Sequence, residues 1–223
     1  MGKPKRIEIK LDKIAEKIRV DFSKRDAIRE KSLKSCRELI RLSSNSIRAA
    51  HRREQSEAGR ILESASDLIR ELHDELKSSH AEMPQSNYFH DAYKEYAEAS
   101  ITFDIVFNND IPDPDKLRVT YSAYLNGLAE SVGEIRRFLL DGLRQGDYVR
   151  SESLLDIMDQ IYTLLITIDF PDAITFGLRR NTDNVRGILE KTRGDLTLIK
   201  QNATLQQRID RLNRKLSNST ELF

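Results

Sequence analysis

Four glutamates at two helical spacings are the residues of this 223-residue chain best suited to chemistry. Glu95 and Glu98 are three residues apart, and Glu130 and Glu134 are four residues apart. Either spacing puts both carboxylates on one face of a helix, with Cβ atoms about 5–6 Å apart. Carboxylate oxygens are the ligands that hard cations such as Mg²⁺ and Mn²⁺ prefer. The spacings fit a metal site, and they fit two solvated acidic helix faces as well.

Small residues accompany the second pair of acids. At about 100° per residue, Glu130 and Glu134 point away from the apolar side of their helix, and Ala123 and Gly127 share their side. Another backbone or a substrate could therefore approach closely there. If the two helices are antiparallel neighbours, the four carboxylates come together and resist full ionisation until a cation binds. A divalent cation held there could activate water against a phosphodiester.

Other catalytic arrangements are not found in the sequence. It contains no GxxxxGK[ST], GxGxxG or GxSxG pattern. A ferritin-like di-iron site needs Glu-x-x-His pairs, and neither acid pair has a His three residues on. The single cysteine, Cys36, excludes a disulfide framework and is predicted to be a small core residue rather than a nucleophile.

The elements that carry these residues are predicted to be almost entirely helical. Turn signals cluster at four places, residues 82–87, 108–114, 145–147 and 169–172. The helices expected between them span residues 8–50, 52–80, 88–107, 117–144, 150–168 and 172–217. The last of these is expected to bend or break near Gly194 or Asn202. Nine Gly and five Pro are too few for a sandwich or barrel of many tight turns.

Apolar spacing indicates which helix faces are buried. The clearest seam consists of Tyr121, Leu125, Leu128, Val132, Ile135 and Leu139. An aromatic face, predicted to belong to the core, consists of Tyr88, Phe89, Ala92, Tyr93, Tyr96, Phe103 and Phe107. A short basic seam that could close the bundle or join two subunits consists of Leu205, Ile209, Leu212 and Leu216.

The net charge of +1 hides a segregation along the chain. Residues 1–35 carry twelve basic and six acidic side chains, and residues 175–215 carry ten and four. Residues 54–115 carry four basic and fifteen acidic side chains. This pattern favours a polyanionic partner together with a cation-binding centre, although ordinary solvated helix faces would also produce it.

The sequence gives no sign of a membrane or secreted protein. No run of about 18 apolar residues is present. The first ten residues, MGKPKRIEIK, are charged and lack the apolar core of a secretory signal. We therefore expect a protein of the reducing cytoplasm with no membrane partner.

Several motifs in one order resemble a known family. They are Arg37-Glu38-Leu39-Ile40, Glu95-Tyr96-Ala97-Glu98-Ala99, the run YLNGLAESVGEI at residues 124–135, and Gly146-Asp147-Tyr148. Together they resemble the translin/Trax family over about residues 26–215, specifically an archaeal-type, Trax-like member. The Trax-type pattern looks like EYxEA followed by YLxGxADxxGE, so Glu130 stands where that pattern has Asp. An added methylene moves the carboxylate by roughly 1.5 Å.

The resemblance implies an all-α protomer of about seven helices that assembles into a closed octameric shell. It implies that Glu95, Glu98, Glu130 and Glu134 are the metal-binding, catalytic residues of a Mg²⁺- or Mn²⁺-dependent endoribonuclease acting on single-stranded RNA. Translin-type subunits replace most of these acids, so a non-catalytic assembly that binds single-stranded RNA or DNA is the alternative. The implied domains are a basic segment at 1–25, a helical domain at 26–217 and a tail at 218–223.

The nucleic-acid contacts are predicted at two places. Basic side chains cluster at Arg48, His51, Arg52 and Arg53, where a solvated helix end is the other interpretation. Tyr88 and His90 lie where the resemblance implies a second contact, in the stretch that is basic in translin members.

Overall fold

The computed structural model describes residues 4–78 and 87–220, and every regular element within them is helical. The elements, in chain order, are α1 (Pro4–His51), α2 (Gln55–Ser78), α3 (Asn87–Phe103), a π-helical turn (Asp104–Asn108), α4 (Pro114–Leu117), α5 (Tyr121–Arg144), α6 (Tyr148–Leu165), α7 (Asp172–Thr175) and α8 (Leu178–Thr220). Six are long helices, and α4 and α7 are single turns. The predicted all-helical fold is confirmed. Residues 82–86 of the first predicted turn lie outside the described residues.

The helix boundaries follow local capping chemistry. The Thr120 hydroxyl accepts a hydrogen bond from the Ala123 amide at the start of α5, and the Asp147 carboxylate accepts one from the Arg150 amide at the start of α6. Gly146 ends the preceding turn at φ 81°, a conformation that costs glycine least. These observations confirm the predicted turn at 145–147. It could be predicted because capping and turn residues are local signals.

The end of α3 differs from the prediction in its geometry. The helix continues as a π-helical turn, and Asn109 closes it at φ 54°. The guanidinium of Arg150 donates to the carbonyl oxygens of Ile105 at 2.8 Å and Val106 at 3.1 Å. These bonds satisfy carbonyls that a helix end leaves without partners. A residue on another helix, 45 positions from Ile105, thus supports this turn, which no local spacing could predict.

Helix α5 lies at the centre of the bundle and packs against α3, α6 and α8. Leu128, Val132, Ile135 and Leu139 are at most 3% exposed, which confirms most of the predicted seam. Tyr121 was wrongly included in it, since it is 64% exposed and its hydroxyl donates to Asp115. It lies in the first turn of α5.

The aromatic face of α3 is core, as predicted. Phe89, Tyr93 and Tyr96 are at most 5% exposed, whereas Tyr88, at the exposed start of the helix, is not buried. Cys36 is buried as predicted, and burial raises the pKa of its thiol to about 11. A thiol held neutral in this way is a poor nucleophile.

The expected break near Gly194 or Asn202 is not found, because α8 is continuous from Leu178 to Thr220. A glycine inside a helix costs only about 1 kcal/mol relative to alanine. Buried Leu189 and Leu196 hold α8 on the bundle on both sides of Gly194. Tertiary packing therefore outweighs the local helix-breaking signal.

The two ends of the described chain extend away from the core. Side chains 10–27 of α1 are exposed apart from a partly buried Ala15. At the other end, Leu205, Ile209 and Leu212 are 41–60% exposed, so the predicted seam on α8 does not close the bundle of a single chain. None of the described helices combines the length and the apolar character needed to span a membrane.

Candidate metal centre

The site is built where α3 and α5 cross at Gly127. A Cβ atom at this position would lie 2.6 Å from the Lys94 carbonyl oxygen, 2.8 Å from the Ala97 Cβ and 2.9 Å from the Glu98 amide nitrogen. Only glycine allows this approach, because such distances are shorter than atomic contacts permit. The sequence placed Gly127 on the acidic side of its helix, and the backbone that approaches it is that of α3. The crossing therefore brings the two glutamate pairs together.

Three of the four glutamates form one carboxylate cluster, which we define as Glu95, Glu98 and Glu130. One oxygen of each lies within 4.8 Å of the others. The side chains of Glu95 and Glu130 are 28% and 32% exposed, so the cluster lies in a partly buried place that solvent still reaches. The acid pair of α3 was predicted to lie close to the acid pair of α5, and this proximity is observed for three of the four residues.

Burial and mutual repulsion disfavour the charged forms of these acids. Burial, followed by the charges of Glu95, Glu130 and Glu134, raises the pKa of Glu98 to about 8. Burial also raises the pKa of Glu95 above its usual value. Within the described residues, no ion pair joins Glu98 to a basic side chain. In the metal-free protein, a large fraction of Glu98 is therefore protonated at neutral pH.

Lys94 also reaches the carboxylate cluster, and the sequence reasoning did not include it. Its ammonium donates to Glu130 at 2.9 Å and lies 3.8 Å from Glu95. Burial lowers the pKa of Lys94, but the bond to Glu130 and the nearby carboxylates outweigh burial and raise it, so the side chain is a cation. Its position four residues before Glu98 was an available signal, because that spacing puts both side chains on one helix face.

Glu134 lies at the edge of the cluster and has its own partner. Its carboxylate is in hydrogen-bond contact with His51 Nε2 at the end of α1, 83 residues away in sequence. This bond is the main cause that lowers the pKa of Glu134. The His51 ring stacks on Phe138 at 4.5 Å, and the Arg53 guanidinium lies 4.9 Å above that same phenyl ring. Glu134 is therefore an ionised carboxylate in a fixed orientation.

Some of the side chains predicted to contact nucleic acid at the end of α1 are bound to other residues of the protein. His51 is 6% exposed and is occupied by Glu134 and Phe138. Arg48 and Arg52 are exposed, and Arg52 pairs with Glu54 at 2.6 Å. Because His51 and Glu134 are in contact, this basic helix end lies directly beside the carboxylate cluster.

The second predicted contact place lies at the start of α3. Tyr88 is 62% exposed and available to a ligand. The His90 ring stacks on Phe176 at 4.2 Å, and burial lowers its pKa. His90 is therefore a neutral, packed side chain. It is not suited to contact phosphate as a cation.

The donor set fits a hard divalent cation. It consists of carboxylate oxygens, and no His or Cys of the described ranges 4–78 and 87–220 joins the three ligand atoms. Burial and the repulsion of neighbouring acids keep Glu98 protonated, and a divalent cation would relieve that repulsion. The arrangement is an all-helical scaffold with an acidic cluster between two crossing helices and a basic helix end beside it.

Comparison with known proteins places this scaffold in a family. An uncharacterized protein of Methanocaldococcus jannaschii is 30% identical over 200 residues, which span 88% of this chain and 87% of that protein. The structure of AfC3PO in complex with duplex RNA is 32% identical, with a TM-score of 0.76, over 84% of this chain and 97% of that one. A second structure, a crystal structure of AfC3PO, is also 32% identical, with a TM-score of 0.74. The apo-NeC3PO structure, at 24% identity and a TM-score of 0.73, shares the fold.

These solved structures are C3PO structures of translin/Trax type. The chain belongs to the translin/Trax family, and its fold is of the archaeal, Trax-like type. The resemblance carried by the sequence motifs is thereby confirmed. No family model matches the chain.

Proposed function

We propose that this protein is an RNA-binding, Mg²⁺- or Mn²⁺-dependent endoribonuclease. The observation that carries the proposal is the carboxylate cluster. Glu95 and Glu98 on α3 and Glu130 on α5 each contribute one oxygen, and the three oxygens lie within 4.8 Å of one another. Without metal, Glu98 forms no ion pair with a basic side chain among the described residues. The cluster is thus built of ligands that a hard cation would stabilise.

Each acidic residue has a distinct part in this proposal. Glu95, Glu98 and Glu130 would hold the cation, which supplies a Lewis acid that polarises a phosphodiester and activates water. Glu134, held by His51, supplies a further ionised carboxylate at the edge of the cluster, where it can orient water or accept a proton. Glu130 in place of Asp keeps the charge, and its longer side chain still reaches the other two acids.

RNA binding is supported by the basic helix end beside the cluster and by the relatives. AfC3PO forms a complex with duplex RNA, and that chain is 32% identical to this one. Arg48, Arg52 and Arg53 are positioned to contact phosphates close to the cluster, whereas His51 is enclosed. We propose single-stranded RNA as the substrate, with duplex RNA and single-stranded DNA as the comparisons to measure.

We further propose that copies of the chain assemble into a closed octameric shell. The exposed Leu205, Ile209 and Leu212 on α8 support assembly, because their spacing of four and three residues suits a helix–helix seam between subunits. Light scattering tests this proposal. A particle of about eight chains is expected, and a 25.8 kDa monomer at micromolar concentration would contradict it.

The proposed activity is tested by cleavage of labelled RNA with Mg²⁺, Mn²⁺ or EDTA. Wild-type protein should cleave with either metal and stop in EDTA, and Glu98→Gln should lose most of the rate. Glu63→Gln, an exposed acid on α2, is the matched control and should cleave like wild type. Cleavage by Glu98→Gln at the wild-type rate would refute the proposal.

A non-catalytic nucleic-acid-binding assembly is the second candidate. The observation that favours it is Lys94, whose ammonium already neutralises part of the cluster and could make it a structural ion-pair network. In that case the protein binds RNA and no metal-dependent cleavage is detected with any of the three RNA and DNA ligands.

A further inference from the structure

Lys94 on α3 contacts two members of the carboxylate cluster. Its ammonium lies 2.9 Å from Glu130 and 3.8 Å from Glu95, and its side chain is only 19% exposed. The backbone carbonyl of the same residue faces Gly127 at the helix crossing. Lys94 is thus fixed at its base by the closest contact between α3 and α5.

The charges explain why the lysine is there. Two half-buried carboxylates this close would repel each other strongly in a partly dehydrated site. The Lys94 ammonium, 2.9 Å from Glu130 and 3.8 Å from Glu95, relieves that repulsion between the two acids. Without metal, these two carboxylates are therefore held together by the Lys94 cation.

A divalent cation and the Lys94 ammonium compete for the same oxygens. Both carboxylate oxygens of Glu130 lie 2.9 Å from the Lys94 ammonium, and a metal ion held by Glu130 would need one of them. Like charges in such a site repel, so both cations cannot keep their best positions. Lysine is suited to exchange, because its charge lies at the end of a flexible four-carbon chain that can turn towards solvent.

We propose that Lys94 is a resident counter-cation that a divalent metal ion displaces from Glu130 and Glu95, and that it thereby sets the affinity of the cluster for metal. This inference rests on the proposed metal-dependent function and adds a residue that determines how readily the site is filled. Lys94 does not bind the metal. It lowers the apparent metal affinity and stabilises the metal-free protein.

The test is Mn²⁺ binding to the full-length, metal-free protein, followed by the electron paramagnetic resonance signal of free Mn²⁺ at constant pH. Lys94→Met removes the charge and keeps an unbranched side chain of similar size. We expect it to bind Mn²⁺ at least tenfold more tightly than wild type, which corresponds to about 1.4 kcal/mol. Lys94→Arg, which keeps a cation, should bind like wild type.

Two further variants show whether the measured Mn²⁺ is bound by the carboxylate cluster. Glu98→Gln should lose the site and shows that the measured Mn²⁺ is bound by the cluster. Lys191→Met removes an exposed lysine on α8 and should leave the affinity unchanged.

Without metal, Lys94→Met should unfold at a lower temperature than wild type, and added Mn²⁺ should raise its melting temperature more than that of wild type. Lys94→Gln replaces it if the methionine variant does not fold by circular dichroism.

The outcomes separate this inference from the function on which it rests. Tighter binding by Lys94→Met with an unchanged Lys94→Arg supports the inference. Equal or weaker binding by Lys94→Met, in a wild type that binds Mn²⁺ through Glu98, overturns it and leaves the metal-dependent function standing. If neither wild type nor Lys94→Met binds Mn²⁺, the proposed function fails and the inference fails with it.

Discussion

The replacement of Glu98 by glutamine should make the metal-free protein less sensitive to alkaline pH. Glu98 is the acid whose burial and acidic neighbours raise its pKa to about 8, against a usual value of 4.5. In the unfolded chain the group ionises near 4.5, whereas in the folded protein it keeps its proton to about 8. The folded state therefore binds more protons between these values, and wild-type stability falls as pH rises through this window.

The magnitude follows from the width of the window. At about 1.4 kcal/mol for each pH unit, the shift from 4.5 to about 8 corresponds to at most about 5 kcal/mol. Solvent reaches the partly buried cluster, so we expect about 2–4 kcal/mol of lost stability in wild type between pH 5 and pH 9. The glutamine amide of the variant cannot ionise, so Glu98→Gln should lose that much less over the same range.

The assay is urea denaturation in EDTA at a series of pH values, with Glu63→Gln as the control that should follow wild type. The comparison uses the slope of stability against pH, because an amide at position 98 also changes stability in a pH-independent way. Adding Mg²⁺ should flatten the wild-type curve, since a bound cation stabilises the ionised acid. Parallel curves for wild type and Glu98→Gln in EDTA would refute the reasoning about Glu98.

Three further predictions follow from the contacts around the cluster. Gly127→Ala should destabilise the protein by about 1–3 kcal/mol in urea denaturation and weaken Mn²⁺ binding, because the added Cβ forces α3 and α5 apart. Gly133→Ala on the same helix, whose Cβ would meet no atom within 4 Å, should be neutral or stabilising, and equal effects of the two would contradict the account. His51→Ala should cost about 1–3 kcal/mol at pH 7 by removing the donor to Glu134. Because the pKa of Glu134 is lowered in the fold, that cost should fade as pH drops below about 4.5, and a pH-independent cost would refute it. RNA affinity measured by anisotropy should fall steeply between about 50 and 200 mM salt, and an unchanged affinity would argue against phosphate contacts.

The sequence predicted the acid site to the extent that helical spacing determines it. The separations of the two glutamate pairs put each pair on one helix face, and the buried seam of Leu128, Val132 and Leu139 oriented α5. The observed gathering of Glu95, Glu98 and Glu130 follows from these faces once Gly127 fixes the crossing.

Long-range contacts account for most of what the sequence did not predict. Lys94 could have been suspected from its spacing to Glu98, but its bond to Glu130 depends on the helix crossing. The pairing of His51 with Glu134 joins residues 83 positions apart, so the histidine was assigned to nucleic acid instead. The same limitation applies to α8, where packing keeps the helix continuous through Gly194.

Cleavage of RNA by the carboxylate cluster is the central proposal for this protein. The most direct measurement determines both RNA affinity and the single-turnover cleavage rate, on the same protein samples, in Mg²⁺ and in Mn²⁺. Glu98→Gln and Glu130→Gln should keep RNA affinity within a few-fold of wild type and lose most of the cleavage rate, because the proposed phosphate contacts lie outside the cluster. Wild-type cleavage rates in both variants, or no cleavage by the wild-type protein with either metal, would contradict the account.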